Sequence, residues 1–441
     1  MSELVLRGGT LLTVGPLGTF AGDVAVDGGR IVAVGADVGS GDDELDVSGC
    51  VVTPGFVQAH VHLCQTLFRG LADDLDVIEW LRRRVWPLEQ AHDEESVGAS
   101  AALGIAELLT GGTTTVLSME TIRHTDASFA AAERLGIRAV IGKALMDRSE
   151  PGTEMAGEPT EQAWADVTAQ LDRWHGAADG RLRVALSPRG PRNATPELWR
   201  RCVALADDAG LVLHTHVNEN RAQADRLGAT AEGRDLVALE SWGALSPRLV
   251  MAHAVWLDGP ERHLLRTRGP TVCHCPSANL KLASGVAPIP EYLADGVNVA
   301  LGADGAACNN RLDMFAEMRL AALVHKPRVG PRAMPAGLVV ELATLGGARA
   351  LGLAEEIGSI EVGKRADLAV TRVTGSHVAP RAGSHPADQL VYACQPADVT
   401  AVLVDGRIVV RDGRLLSGDE AAIGAAAEVQ RVALLARAGL A

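Results

Sequence analysis

In the stretch "PGFVQAHVHLCQ", residues 54–65, His60 and His62 stand two apart near the end of an apolar run. Side chains two apart on a strand point the same way, so both imidazoles face one side of the element, one level apart, at its C-terminal end. By itself such a pair suits a buried, hydrogen-bonded core as readily as a metal. Three other segments change that balance. "LHTHVNEN" carries His214 and His216, "VMAHAV" carries His253 and "LGADG" carries Asp304, each closing a short apolar run of its own. Five of the 13 histidines therefore fall at three strand ends. An apolar interior gains nothing from unpaired imidazoles and loses desolvation energy by enclosing them. Three imidazoles and a carboxylate suit one borderline divalent ion, Zn2+ ahead of Fe2+ or Mn2+, with a position left for water that such an ion ionises near neutral pH.

The elements that must position these groups alternate short apolar or β-branched runs with longer Ala/Leu/Glu/Arg-rich stretches, the pattern of βα units around a parallel sheet. Strands are predicted at 55–62, 114–119, 138–145, 182–189, 211–216, 249–253, 271–276 and 298–304. Helices are predicted at 94–110 and 195–209, with Asp93 and Thr195 as N-caps. Eight strands with intervening helices predict a (β/α)8 TIM barrel of the α/β class, whose sites sit at the C-terminal strand ends. Residues 1–50 and 358–418 instead read as hairpins, with turns such as "VDGGRIVAVG" and "VDGRIVVRDG". Both chain ends are expected to build one small β-sandwich. The implied division is 1–53 (sandwich), 54–357 (catalytic barrel) and 358–441 (sandwich plus a terminal helix from 419, with Ile423, Val429, Val432 and Leu435 as its apolar positions).

Composition narrows the partners. Lys+Arg of 41 against Asp+Glu of 55 leaves a net charge of −14, which opposes nucleic acid and anionic membrane surfaces. No run of about 20 apolar residues appears and the N-terminus has no signal-peptide pattern, so a cytoplasmic protein is expected. Seven scattered cysteines fit a reducing compartment. Alternation puts Cys273 and Cys275 on one face and His274 on the other, so the three form no shared chelate; the thiols read as core, and His274 with Asn279 as support for the site. The H-x-E and P-C-x-x-C signature of the zinc nucleobase deaminases is absent. No glycine-rich phosphate loop is present either.

With "PGFVQAHVH", "HTHVNE", "AHAVWL", "CHCPSANLKLASGVAPI" and "LGADGAACNNRLDMFAEMRLAALVHK" the chain resembles the amidohydrolase superfamily. Within it, the chain is most similar to adenosine-type deaminases acting on S-adenosylhomocysteine, 5'-methylthioadenosine and 5'-deoxyadenosine. The resemblance runs along nearly the whole chain. It implies that His60, His62, His216 and Asp304 bind one divalent ion, Asp304 also orienting the attacking water. It makes Glu219, three residues past His216, the proton shuttle, where spacing alone suggests a solvated loop carboxylate. It places His253 against the reacting carbon without making it a ligand. His214, one level deeper than His216, reads as a residue behind the site or in the core.

The resemblance also implies a small-molecule purine nucleoside substrate and a homo-oligomer. Glu89 in "WPLEQ" matches a ribose-binding glutamate, or is a surface carboxylate on a helix, and Trp86 lines the same pocket or merely packs. Arg189 stands where relatives often have a purine-facing histidine, and either donates to the base or pairs with a carboxylate. Gln65 lies in a stretch closest to the 5'-deoxyadenosine type, although similar residues occur in deaminases of oxidised purines. Lys143 replaces an arginine that meets the amino-acid carboxylate in the S-adenosylhomocysteine type, which shifts the expectation toward a small 5' group. Deamination of guanine-like or 8-oxoguanine-like purines or pterins, and triazine hydrolysis, are the alternatives within the superfamily.

Overall fold

The computed structural model describes residues 2–148, 157–227 and 233–440. Strand Phe56–His62 pairs with Thr113–Met119, that strand with Arg138–Gly142, and that with Leu182–Val184, all in parallel. A single parallel bridge between Leu186 and Leu213 leads on to Leu213–Val217, Leu249–His253, Thr271–His274 and Val299–Leu301. Beyond Gly302 the eighth strand resumes as Asp304–Gly305 and pairs with the first, Asp304 opposite Val61. The pairing thus returns to where it began. Phe56–His62, Thr113–Met119 and Leu249–His253 are buried along their whole length, as parallel strands covered on both faces should be.

Two local devices aim the first and last of these strands. The ladder between Phe56–His62 and Thr113–Met119 slips by one residue between Gln58 and Val61. Val57 and Ala59 belong to the interior cluster with Leu117, Val140, Val250 and Ala300, so strict alternation would turn His60 and His62 outward. The bulge reverses that parity and brings both imidazoles inside, a common use of bulges beside active sites. On the eighth strand, a Cβ at Gly302 would lie 2.6 Å from the His60 carbonyl oxygen and 2.9 Å from Cys273 Sγ. Only glycine lets the two strands approach there.

Helix Glu94–Thr110 is capped by Asp93, which accepts the Ser96 N–H, and Pro196–Ala209 by Thr195, which accepts the Leu198 N–H. The terminal helix is Glu420–Arg437; it buries Ile423 and Leu434 but leaves Val429 66% and Val432 67% exposed. The flanking β-structure hydrogen-bonds as one nine-stranded sheet, in which Cys50–Pro54 pairs antiparallel with Leu368–Arg372 and so joins the two chain ends. The sheet folds back on itself: Ala366 N–H donates to Gly29 O, and Ile31 N–H to Lys364 O. Its inner face encloses Leu6, Leu11, Val24, Val52, Leu368 and Leu403.

Arg138, on the third barrel strand, ties barrel to sheet. It donates to Asp367 at 2.7 and 3.1 Å and to Asp405 at 3.1 Å while only 2% of its side chain is exposed. Removing one member of such a buried group strands the opposite charges and costs about 3–5 kcal/mol. Arg138→Ala is therefore expected to lower unfolding free energy by that amount in urea titrations. A loss below about 1 kcal/mol would mean that the two carboxylates rehydrate freely.

Candidate active site

Four strand ends deliver polar groups to one point inside the barrel mouth. His60 Nε2 and His62 Nε2 lie 3.3 and 3.2 Å from Asp304 Oδ1, and His216 Nε2 lies 3.3 Å from His62 Nε2. An ion held tetrahedrally by bonds of about 2.0–2.1 Å sets its donor atoms about 3.3 Å apart, so these spacings match a zinc-sized ion. His253 Nε2 stands slightly farther out, 3.8 Å from Asp304 Oδ2 and 3.9 Å from Glu219 Oε2. Two overlapping groups, His60/His62/Asp304 and His60/His216/His253, each hold their donor atoms within 4.8 Å of one another.

The far side of each ring fixes what the near side can do. His62 Nδ1–H donates to Met119 O and His216 Nδ1–H to Arg189 O, both at 2.7 Å. His60 Nδ1–H donates to His214 Nε2 at 2.8 Å, and His253 Nδ1–H to Asn279 Oδ1 at 2.9 Å. With Nδ1 protonated and committed, every Nε2 presents a lone pair inward. Among the described residues His60 Nε2 is buried without a hydrogen-bond partner, which suits a ligand atom and is costly otherwise.

Electrostatics agree with that role. Burial pushes His60 down to about 4 and His216 well below the usual imidazole range, so both stay neutral at pH 7. Burial also pulls on His62, but the hydrogen bond and charge of Asp304 outweigh it and raise this imidazole. Burial would raise Asp304; the His60 and His62 imidazoles, 3.3 and 3.2 Å from its Oδ1, outweigh that and hold its carboxyl well below the usual range. His60 and His216 therefore stand neutral beside a charged carboxylate, and His62, the imidazole that Asp304 favours in its charged form, gives up its Nε2 proton when a divalent cation binds. Asn218, His253, Ala254 and Asp304 all adopt positive φ (43°, 71°, 46° and 62°), a concentration of backbone strain at this site.

Glu219 follows on the loop after Leu213–Val217. Its Oε1 accepts a hydrogen bond from Ser284 Oγ at 3.3 Å, and burial raises its carboxyl above the usual range. A carboxyl so tuned holds a proton nearer neutral pH. The site opens into a cleft lined by Trp80, Leu81, Trp86, Arg189, Arg192 and Asp235, besides the groups already named.

Not every residue expected at the substrate reaches the cleft. Trp86 and Arg189 line it, but Arg189 is held by Glu89 at 2.6 and 3.3 Å, and Gln65 Nε2 donates to the same carboxylate at 2.9 Å. Glu89 and Gln65 thus lie behind the Arg189 guanidinium, fixing its position. Lys143 is spent on Glu158 at 2.7 Å and on Asp166, outside the cleft. Asn279 supports the site through His253, whereas His274 does not: both its ring nitrogens lack partners and its ring packs 5.5 Å from that of His325. Cys273 and Cys275 are interior core with Sγ atoms 4.0 Å apart. Trp80, Arg192 and Asp235 escaped the sequence reading, since no spacing rule connects them to a histidine pair.

A parallel barrel with three imidazoles and a carboxylate gathered at its C-terminal rim defines a metal-dependent hydrolase architecture. The amidohydrolase family model matches residues 51–409, and the chain belongs to that family. It is 41% identical over 407 residues to the 5-methylthioadenosine/S-adenosylhomocysteine deaminase of Desulforudis audaxviator, covering 91% of this chain and 92% of that one. It is 38% identical over 419 residues to the 5'-deoxyadenosine deaminase of Methanothermobacter thermautotrophicus, covering 94% of each. An adenosine deaminase from Xanthomonas campestris, solved with bound zinc, superposes with a TM-score of 0.92 at 34% identity over 99% of both chains.

Glu219→Gln is expected to keep one zinc per chain while lowering kcat by about 100- to 10,000-fold, the range for losing a positioned acid. Metal analysis beside steady-state kinetics checks this. Loss of the metal in this variant would instead place Glu219 among the ligands.

Proposed function

We propose that the protein is a hydrolytic deaminase of adenine nucleosides, acting on the C–N bond of the purine amino group and releasing ammonia and the inosine analogue. Zinc, bound by His60, His62, His216 and Asp304, supplies the Lewis acidity that ionises water at neutral pH. The chain's own groups do the rest. Asp304 turns Oδ1 toward His60 and His62 and Oδ2 toward His253, and so orients the attacking oxygen. Glu219 hands its proton to the ring nitrogen next to the attacked carbon. His253, locked by Asn279, meets the oxygen that gains charge as the ring carbon becomes tetrahedral. Glu219, now a carboxylate, takes the proton from the hydroxyl on the tetrahedral carbon and passes it to the amine, which leaves as ammonia while the ring C=O forms. The observation that carries this reading is a part-buried Glu219, its carboxyl raised above the usual range by desolvation, 3.9 Å from His253 Nε2 beside the imidazole and carboxylate cluster.

The remaining features are consistent with a small-molecule enzyme. A net charge of −14 disfavours nucleic acid. Among the described residues no helix is long and apolar enough to cross a membrane. Seven free, buried cysteines support a cytoplasmic setting. Exposed Val429 and Val432 support a homo-oligomer. The division at 53/54 and 357/358 is supported by barrel strands that span only Phe56–His62 to Asp304–Gly305.

Ammonia release should be measured with zinc-loaded enzyme on 5'-methylthioadenosine, 5'-deoxyadenosine, S-adenosylhomocysteine, adenosine, guanine, 8-oxoguanine and a chlorotriazine. Turnover of the adenine nucleosides is expected. Turnover confined to guanine-type bases or the triazine would overturn the proposal.

A further inference from the structure

One wall of the cleft carries polar atoms that have no partner among the described residues. Asp235, 3% exposed, accepts the Asn218 N–H through Oδ2 at 2.8 Å, but its Oδ1 has no hydrogen-bond partner. Asn218 gives its Nδ2–H to Glu261 at 2.7 Å and leaves its own buried Oδ1 without a donor. Native folds pair nearly all buried acceptors, so two orphans on adjoining residues of one cleft need an explanation. Burial pushes the Asp235 carboxyl up to about 6, and the charge of Arg192 is the largest opposing influence.

Arg192 lines the same cleft and is half-buried. Among the described residues its guanidinium is close enough to act on Asp235 through charge, yet forms no ion pair with it. The other long cations nearby are already engaged: Arg189 by Glu89, and Lys143 by Glu158 and Asp166. Among the described residues the cleft therefore offers a cation without an ion-pair partner, Arg192, and a carboxylate oxygen without a donor, Asp235 Oδ1, that do not touch each other. A ligand carrying both charges a short distance apart would satisfy both.

We propose that Arg192 and Asp235 form a receptor for an α-amino-acid zwitterion on the 5' substituent of the substrate, an inference that rests on the nucleoside deaminase reading. Arg192 takes the carboxylate through its planar fork of donors. Asp235 Oδ1, beside Asn218 Oδ1, takes the ammonium, whose three N–H groups match an array of acceptors. This receptor does the work that Lys143, turned away into its own carboxylate pair, does not. A methylthio or hydrogen 5' group leaves Asp235 unpaired, and a site built to bond a polar group discriminates against the analogue that lacks it. The protein thus favours S-adenosylhomocysteine over 5'-methylthioadenosine.

The test is steady-state kinetics of the full-length, zinc-loaded enzyme on S-adenosylhomocysteine, its carboxyl methyl ester and 5'-methylthioadenosine, for wild type, Arg192→Ala and Asp235→Asn. Each substitution should lower the ratio of kcat/KM for S-adenosylhomocysteine over 5'-methylthioadenosine by about tenfold or more, chiefly through KM, as expected for losing a charge-assisted hydrogen bond. The methyl ester should be about tenfold poorer than S-adenosylhomocysteine in wild type but no poorer in Arg192→Ala. A purely structural role would depress all substrates together and leave the ratio alone. An unmoved ratio in Arg192→Ala, in an enzyme active on 5'-methylthioadenosine, overturns this inference and leaves the deaminase reading standing. Inactivity of wild type on every adenine nucleoside overturns both. Should Asp235→Asn not fold, Arg192→Ala and the ester series decide the matter alone.

Discussion

The hydrogen bonds on the outward nitrogens of His62 and His216 govern the centre of this protein. Each imidazole gives its Nδ1 proton to a main-chain carbonyl at 2.7 Å, Met119 for one and Arg189 for the other. Those carbonyls sit where the second barrel strand ends and just beyond the fourth, so closure of the barrel is what presents them. A side-chain partner could rotate; a carbonyl fixed by strand pairing cannot, and the tautomer of each ring follows. His60 is held one step less directly, through His214, and the charge of Asp304 balances the whole set.

Arg189 links that centre to the substrate wall. Its carbonyl orients His216 while its guanidinium lines the cleft under the grip of Glu89 and Gln65. A carboxylate and an amide placed behind an arginine fix the geometry of the wall that a ligand meets, which is how a supporting layer preorganises a site. The positive φ values at His253 and Asp304 belong to the same economy of position. Backbone strain of about 1–3 kcal/mol per residue persists only where the surroundings over-determine it. Here the Asn279 bond to His253 and the pairing of Asp304 opposite Val61 do so.

Much of this was legible in the chain because strands have a period of two. His60 with His62, His216 and Asp304 could be placed on a common rim from the ends of apolar runs, and the Asp93 and Thr195 caps fixed two helix starts to within one residue. What was not legible depends on register or distance. The one-residue slip that turns His60 and His62 inward leaves no mark in "FVQAHVH", since an alternating strand reads the same with or without it. The Glu89–Arg189 pair joins residues 100 apart, and Lys143 finds its carboxylates 15 and 23 residues downstream, so neither fate could be assigned from local spacing. Val429 and Val432 show a limit of another kind. They stand with Ile423 and Leu435 among the apolar positions of the terminal helix, which buries Ile423 and Leu434 but leaves these two valines exposed.

Three imidazoles and one carboxylate from three strands converge on a single cation. X-ray absorption at the zinc edge of the purified, zinc-loaded protein tests it most directly. One zinc per chain is expected, with a first shell of nitrogen and oxygen alone at about 2.0–2.1 Å and the outer-shell signature of several imidazoles. A sulfur shell at about 2.3 Å, pointing to the cysteines, or zinc well below one per chain would contradict it.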